Sequence, residues 1–220
     1  ASYVAHGRYA DCPFEINGRE TPTTGWVDEV TANYAMDFIK ENAGGPFVAV
    51  VGFKSPHTPR MAPEKYKDLY AGEECRPAVN AESKAPFKWA DDTKKKDREV
   101  QDRKVDYFRT LAGVDEQLGR LMKHLDDTGL AGNTVVIYCS DNGYYISEHG
   151  LGDKRSAYEE SMRIPMIVRC PGLVPEGKLA DEMVLNIDIA PTLLDMAGVK
   201  APESMQGRSL KPLISGKKPE

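Results

Sequence analysis

The amino-acid sequence predicts an α/β domain with a mostly parallel sheet and helices on both faces. Three near-continuous runs of apolar and β-branched residues are typical of strands that are covered on both faces. They are "PFVAVVGF" (residues 46–53), "TVVIYCSD" (134–141) and "IPMIVRCP" (164–171). Amphipathic stretches lie between and after these runs, and the alternation of strand and helix is the pattern of a layered α/β domain.

Three helices are predicted from apolar residues at helical spacing. The first contains Trp26 to Phe38, with Thr23 or Thr24 as its N-cap and an end at residues 44–45, a Gly-Gly pair. The second contains Val105 to Leu125 and stops near Gly129. The third covers residues 189–197 and ends at Gly198.

Residues 73–102 interrupt this pattern. They are rich in Lys, Asp, Glu, Pro and Ala and have little periodicity. Two interpretations stay open: a solvated excursion that caps the domain, or a lid over a substrate cleft.

Composition restricts the class of protein. A chain of 220 residues with 40% apolar content is long enough for one large domain or for a share of a bigger one. The net charge of −5, without a basic stripe interleaved with aromatic residues, argues against a nucleic-acid partner. The apolar runs are too short for a membrane span, and we find no signal-peptide pattern.

Four cysteines are present, without the Cys-x-x-Cys spacing of zinc or redox motifs. Cys139 and Cys170 lie in apolar runs and are predicted to be buried free thiols. Cys12 and Cys75 lie in polar loops, where a disulfide stays open.

Asp141 is the last residue of the second apolar run, and Asn142 follows it. Ligands of open α/β sheets bind beyond the carboxyl ends of strands, and a carboxylate beside an amide oxygen suits calcium or magnesium. Asp-Asn-Gly is also a common turn sequence, so a turn without a metal is the alternative.

The first apolar run is followed by Lys54, His57 and Arg60. Prolines 56 and 59 stiffen the backbone around the histidine. A lone histidine is more often structural, but this position at the end of a strand makes His57 a candidate for acid or base catalysis.

Several blocks of the sequence resemble the type I sulfatases of the alkaline-phosphatase-like superfamily, from about Thr24 onward. They include "PFVAVVGFKSPHTPRMAPEKY", "GNTVVIYCSDNGYYISEHGLGDKRSAYEESMRIPMIVRCPG" and "NIDIAPTLLDMAGVKAPESMQGRSLKPLISG". The block "SEHGLGDKRSAYEESMRIP" is most similar to bacterial glycan sulfatases such as N-acetylglucosamine-6-sulfatases. The resemblance implies a sulfuric ester hydrolase that acts on a sulfated carbohydrate and is periplasmic or secreted, or lysosomal in a eukaryote.

The resemblance also assigns roles to residues. It implies that Asp141 and Asn142 help to hold calcium, that Lys154 contacts the sulfate ester, and that His57 faces the leaving oxygen. His149 is implied as a further substrate contact. Such groups fit sulfate transfer, because a cation and a metal neutralise the sulfate oxygens and a histidine can protonate the leaving alcohol.

The sequence also departs from the family. The family's nucleophile is a formylglycine made from the first residue of a Cys-x-Pro/Ala-Ser-Arg motif, and none of the four cysteines begins one. Residues 75–79 come nearest but lack the Ser and the Arg. The remaining metal ligands are also expected upstream of residue 1. Residues 1–220 are therefore predicted to be the later part of a catalytic domain, without its N-terminal half and C-terminal subdomain. We expect an incomplete calcium site and no turnover by this chain alone.

Two other functions stay open. Phosphatases and phosphodiesterases of the same superfamily hold two transition metals with several Asp and His ligands. With four histidines in the chain and an Asn beside Asp141, the single-calcium sulfatase site is favoured. The third interpretation is a carbohydrate-binding remnant that has no catalytic activity.

Overall fold

The computed structural model describes residues 1–3, 7–83 and 97–216. The chain divides into two compact units. Unit 1 consists of residues 1–128 and 140–164, and unit 2 consists of residues 129–139 and 165–220. All five site residues predicted from the sequence belong to unit 1.

Unit 1 contains a small sheet, two long helices and one short helix. Strands β1 (Ser2–Tyr3), β2 (Phe14–Ile16) and β3 (Arg19–Thr21) pair antiparallel in that order. Asn17 and Gly18 join β2 to β3 with positive φ angles of 51° and 78°, the backbone that a two-residue hairpin requires. Helices α1 (Val27–Asn42) and α2 (Asp97–Asp127) pack on each other, and α3 spans Glu159–Met162.

The core of unit 1 forms where the small sheet meets the long helices. A cluster of buried side chains fills it: Tyr9, Cys12, Phe14, Trp26, Val27 and Val114. Trp26 also donates its indole N–H to the carbonyl oxygen of Met61, with an N···O distance of 2.9 Å. A Cβ at Gly113 would lie 2.6 Å from the Trp26 ring, so α2 can pack against Trp26 only with glycine there. The core thereby fixes the first turn of α1.

Unit 2 contains an antiparallel pair of strands, β4 (Val136–Cys139) and β5 (Met166–Arg169), and the helices α4 (Ile189–Met196) and α5 (Lys211–Ile214). The Asp188 carboxylate, just before α4, accepts hydrogen bonds from the backbone N–H groups of Leu185 and Arg208. The bond from Arg208 ties the segment after α4 back to the N-terminal end of that helix.

The α/β class and the three helices are confirmed, with different boundaries. Helix α1 begins at Val27, with Trp26 at the N-cap position in place of Thr23 or Thr24, because the Trp26 ring is held in the core. Helix α2 begins at Asp97, inside the predicted excursion, where Glu, Gln, Arg and Lys favour a helix. Residues 84–96 of that excursion lie outside the described residues.

The predicted strands differ more from the structure. Residues 46–53 do not form a strand, and Val48 and Val50 are 77% and 96% exposed. Both sheets of the described chain pair antiparallel, whereas the sequence predicted mostly parallel pairing. Parallel neighbours are usually joined by a helix that packs on the sheet, whereas the connection from β4 to β5 contains a 3₁₀ turn at Glu148–Gly150 and the four-residue α3.

Two further predictions concern the cysteines and a membrane span. Cys170 is a buried thiol as predicted, but Cys139 is exposed, because it lies at the end of β4. Cys12 and Cys75 are both free thiols, and Cys12 lies in the core of unit 1. Within the described residues, no helix is long and apolar enough to cross a membrane.

Candidate active site

His57 lies in a loop, residues 54–60, that we call the His57 loop. Asp28, in the first turn of α1, holds the start of this loop. One carboxylate oxygen accepts the Lys54 N–H at an N···O distance of 2.6 Å. The other accepts the N–H of Ser55 at 3.2 Å and its hydroxyl at 2.5 Å. The loop is therefore fixed to the helix by backbone as well as side-chain bonds.

The His57 backbone is held on both sides. Its N–H donates to the Lys54 carbonyl with an N···O distance of 3.0 Å, which closes a turn. Its carbonyl accepts the Tyr9 hydroxyl at 2.5 Å. Burial raises the pKa of Tyr9 to about 12, against the opposing effect of its hydrogen bond with Ser55. The Tyr9 phenol consequently stays protonated and able to donate near neutral pH.

The imidazole of His57 is oriented by a further bond. Its Nδ1 lies 2.7 Å from the carbonyl oxygen of Thr58, which can only accept, so Nδ1 carries a proton. The residue as a whole is exposed. Nε2 is therefore the nitrogen at which His57 can exchange a proton with a ligand, and it can give one up only from the imidazolium form.

Asp141 and Asn142 begin a second loop, residues 140–155, that we call the Asp141 loop. Asp141 is exposed, and its Oδ1 accepts the Asn142 N–H at 2.9 Å. The Asn142 side-chain N–H donates to the Gly143 carbonyl at 2.6 Å, which leaves the Asn142 Oδ1 to act as an acceptor or a ligand. The two oxygens suit a hard cation, but they account for only part of a calcium shell of about six to eight oxygens. No group of three or more His, Cys, Asp or Glu that could hold a metal gathers in the part of the chain that the structure describes.

Gly143 connects the Asp141 loop to α3. Its N–H donates to the Ser161 carbonyl at 2.8 Å. A Cβ at this position would lie 2.0 Å from the backbone oxygen of Glu160. Only glycine permits this approach, so the residue after the Asp-Asn pair is fixed by packing.

Lys154 lies at the end of the same loop and is half-buried. Its carbonyl accepts the Ser161 hydroxyl, and its N–H donates to the Asp153 carboxylate at 2.8 Å. Asp153 is also paired with Arg155. Over residues 1–3, 7–83 and 97–216, the structure shows no ion pair between the Lys154 ammonium and a carboxylate.

His149 has a different environment from His57. Its backbone is left-handed, with φ of 54°, and its ring stacks on Tyr158 at 4.0 Å between centroids and an interplanar angle of 8°. The His149 Nε2 lies 3.2 Å from a Glu160 carboxylate oxygen and 3.2 Å from the Asn80 side-chain nitrogen. Glu160 only accepts and the Asn80 nitrogen only donates, so Nε2 can satisfy one of them in each protonation state.

Glu160 is stabilised as a carboxylate by these neighbours. Burial acts to raise its pKa, but hydrogen bonds and the nearby His149 outweigh burial and lower the pKa below the usual value.

Sequence reasoning missed Asn80, Tyr158 and Glu160 as neighbours of His149. Tyr158 and Glu160 lie in the same sequence block as His149, but no local signal links it to Asn80, which is 69 positions away.

One cation links the two loops. The Arg60 guanidinium lies 4.9 Å from the ring centroid of Tyr144, in the Asp141 loop, and 5.7 Å from that of Tyr107, in α2. Tyr3 gives a second indication of proximity. Its pKa is raised by burial and, to a smaller extent, by the charges of Asp28 and Asp141 among its neighbours. The loops that carry His57 and Asp141 are thus neighbours within unit 1. That the side chains of His57, Asp141 and Lys154 converge on one cleft stays a prediction.

Comparison with known proteins identifies a family and its relatives. The family model described as Sulfatase matches residues 7–199. The chain is 45% identical over 116 residues to an N-acetylglucosamine-6-O-sulfatase of Bacteroides thetaiotaomicron, a match that covers 52% of this chain and 21% of the relative. It is 29% identical over 226 residues to the human N-acetylglucosamine-6-sulfatase, covering 96% and 41%. The chain thus spans about a fifth to two fifths of the length of these relatives.

Solved structures share the fold. A protein determined in complex with its substrate D-glucosamine-2-N,6-O-disulfate superposes with a TM-score of 0.90 at 24% identity, over 97% of this chain and 57% of that one. A phosphonate monoester hydrolase of Agrobacterium radiobacter superposes with a TM-score of 0.75 at 23% identity, over 90% and 45%. At these identities the likeness establishes the alkaline-phosphatase-like fold alone.

Proposed function

Because this chain belongs to the sulfatase family, we propose that the protein containing it hydrolyses sulfate esters of a carbohydrate. One observation carries the proposal. The loop that presents the His57 Nε2 contacts, through Arg60 and Tyr144, the loop that holds Asp141 and Lys154. An acid, a cation and oxygen ligands are therefore available on neighbouring loops, as sulfate-ester hydrolysis requires.

His57 and Lys154 have complementary tasks in this reaction. The ammonium of Lys154 neutralises charge on the sulfate oxygens, which is most valuable in the transition state. The His57 imidazolium donates its Nε2 proton to the sugar oxygen as the S–O bond breaks, so the sugar leaves as a neutral alcohol. The sulfuryl group passes to the attacking oxygen nucleophile, and water is its final acceptor in the overall hydrolysis. His57 is left as the neutral ring, with the proton retained on Nδ1 by the Thr58 carbonyl.

Asp141 and Asn142 would hold part of a calcium site. Their side-chain oxygens fit a hard cation in chemical type, although they fill only a minority of its coordination shell. When bound, calcium supplies positive charge beside the sulfate. The formylglycine that the family uses as its nucleophile has no matching motif within residues 1–220.

For the substrate, we propose a 6-O-sulfated N-acetylglucosamine unit of a glycan. The support is the 45% identity to a relative that carries this activity in its name. His149 is proposed as a substrate contact, with its ring fixed against Tyr158. A periplasmic, secreted or lysosomal location follows from the usual location of the family.

The test uses the complete gene product and N-acetylglucosamine-6-sulfate, with release of inorganic sulfate as the readout. We expect turnover that His57→Ala abolishes or nearly abolishes and that His124→Ala leaves intact, because His124 lies on α2 and has no proposed role. Cleavage of bis(4-nitrophenyl) phosphate without sulfate release would favour the phosphodiesterase alternative. Saturable binding of the sulfated sugar without any turnover would favour the carbohydrate-binding remnant.

A further inference from the structure

We propose that Asp28 is a positioning residue for the reaction, because it fixes the backbone of the His57 loop and thereby the place of the His57 imidazole. The inference rests on the proposed function, which gives His57 its role as the acid. It concerns a residue on α1 that would not itself touch the substrate.

Asp28 lies in the interior of unit 1. Its side chain is fully buried beside the apolar core of unit 1. A buried carboxylate is unfavourable unless donors satisfy both of its oxygens. Three donors do so, and all three belong to Lys54 and Ser55, at the start of the His57 loop. The N-terminal end of α1 gives this negative charge further support.

A series of hydrogen bonds leads from Asp28 to the imidazole of His57. Asp28 holds the N–H groups of two consecutive residues, Lys54 and Ser55. The Lys54 carbonyl in turn accepts the His57 N–H, and the Tyr9 hydroxyl holds the His57 carbonyl. The Thr58 carbonyl then orients the ring through Nδ1. Each backbone polar group of His57 is therefore held, and Asp28 anchors the beginning of the series.

The anchoring affects catalysis because it sets the position of the His57 imidazole. Proton transfer requires the donor within hydrogen-bond reach of the leaving oxygen, and a displacement of about 1 Å can cost roughly 100-fold in rate. His57 is exposed, so packing against the core cannot fix the position of its side chain. The backbone bonds from Asp28 and Tyr9 supply that constraint instead.

Asp28→Asn is the main test variant, in the complete gene product. Asparagine keeps the size of the side chain but offers an N–H₂ group where one carboxylate oxygen accepted the Ser55 N–H. We expect kcat for N-acetylglucosamine-6-sulfate to fall about 10- to 100-fold, with KM changed less than about threefold. Asp37→Asn, an exposed position on the same helix, is the matched control and should retain wild-type turnover.

A second substrate separates positioning from a general loss of structure. The leaving group of 4-nitrophenyl sulfate is stable as an anion and needs little protonation. Asp28→Asn should therefore reduce kcat for this substrate less than about threefold. Equal losses on both substrates, or no loss on the sugar sulfate, would overturn the proposal.

Ser55→Ala removes one of the three bonds and should give a smaller loss with the same substrate dependence, which keeps the test usable if Asp28→Asn does not fold.

Amide hydrogen exchange tests the proposal without activity. In Asp28→Asn, exchange at Lys54, Ser55 and His57 should accelerate at least about tenfold relative to Asp37→Asn. Unchanged exchange at these three amides contradicts the anchoring. A wild-type protein that turns over neither sulfate would defeat the proposed function, whereas exchange would still decide whether Asp28 holds the loop.

Discussion

The His57 loop and the Asp141 loop are held in opposite ways. The His57 loop is anchored from elements that are far away in sequence, by the buried Asp28 and by Tyr9. At the Asp141 loop, the side chains of Asp141 and Asn142 form hydrogen bonds, among the described residues, only with the next residue in the chain, and the first long-range anchor is Gly143 against Ser161.

The difference matches what each loop is proposed to do. An acid must be placed before the substrate arrives, because proton transfer depends on sub-ångström geometry. Metal ligands can be ordered further by the ion that they bind, since metal binding and local folding are coupled. The His57 loop is thus built for preorganisation, whereas the end of the Asp141 loop that carries Asp141 and Asn142 is fixed at the glycine that follows them.

Removal of the reacting groups should have the largest effect. His57→Ala and Lys154→Ala in the complete protein should each lower sulfate release by about two to four orders of magnitude, as expected for acid catalysis and charge stabilisation. Lys40→Ala, an exposed lysine in α1, is the control for Lys154. Near-native kcat in both site variants would refute the assignment of both loops to one active site.

Gly143→Ala should give the next largest effect, on the Asp141 loop. The added methyl group would meet the Glu160 carbonyl oxygen at 2.0 Å, and neither backbone can move without breaking the bond between Gly143 and Ser161. We expect a loss of about 1–3 kcal/mol in the free energy of unfolding, measured by urea denaturation.

The control for this variant is Gly119→Ala, in α2, where a Cβ meets no atom within 4 Å. That change should be neutral or stabilise the protein, because alanine favours a helix. If Gly143→Ala is as stable as Gly119→Ala, the glycine is not the anchor of the Asp141 loop.

Asn80→Ala should have a smaller effect and tests whether the segment before α2 supports the site. It removes a donor to the His149 Nε2 and one contact to Glu160. One hydrogen bond of this kind contributes about 0.5–1.5 kcal/mol, so KM for the sugar sulfate should rise about 2- to 10-fold. Asn33→Ala, at an exposed position on α1, is the control, and equal KM values for the two variants would separate Asn80 from the substrate site.

The sequence predicted the elements that local patterns determine. The apolar spacing from Trp26 to Phe38 predicted α1, and the sequence blocks around His57 and Asp141 indicated the family, which is confirmed. It could not predict contacts between distant residues. Asp28 lies 26 positions before Lys54 and has no sequence signal of its own, because a carboxylate in the first turn of a helix is usually a solvated charge.

Strand formation was the other weakness of sequence reasoning. An apolar run such as residues 46–53 indicates that a strand is possible, but a strand forms only when a neighbour accepts its hydrogen bonds. Cys139 shows the same limit on a smaller scale, because its apolar neighbours suggested burial and its place at the end of β4 leaves it exposed.

The smallest expected effect is the pH dependence of stability that Asp28 contributes. Burial raises the pKa of Asp28 above its ordinary value of 3.8, against the opposing hydrogen bonds from Ser55 and Lys54. The folded protein therefore binds the Asp28 proton more tightly than the unfolded chain does. This contribution to stability is fully present below pH 3.8 and is lost as the pH rises through the raised value. Asparagine does not titrate, so the stability of wild type relative to Asp28→Asn should decline as the pH rises over that interval.

Urea denaturation of both proteins at a series of pH values from about 3.5 to 7 measures the difference. Asp37→Asn, which removes an exposed carboxylate from the same helix, corrects for general charge effects. A difference that instead grows with pH would mean that the anchored carboxylate is stabilised by its three donors more than it is destabilised by burial.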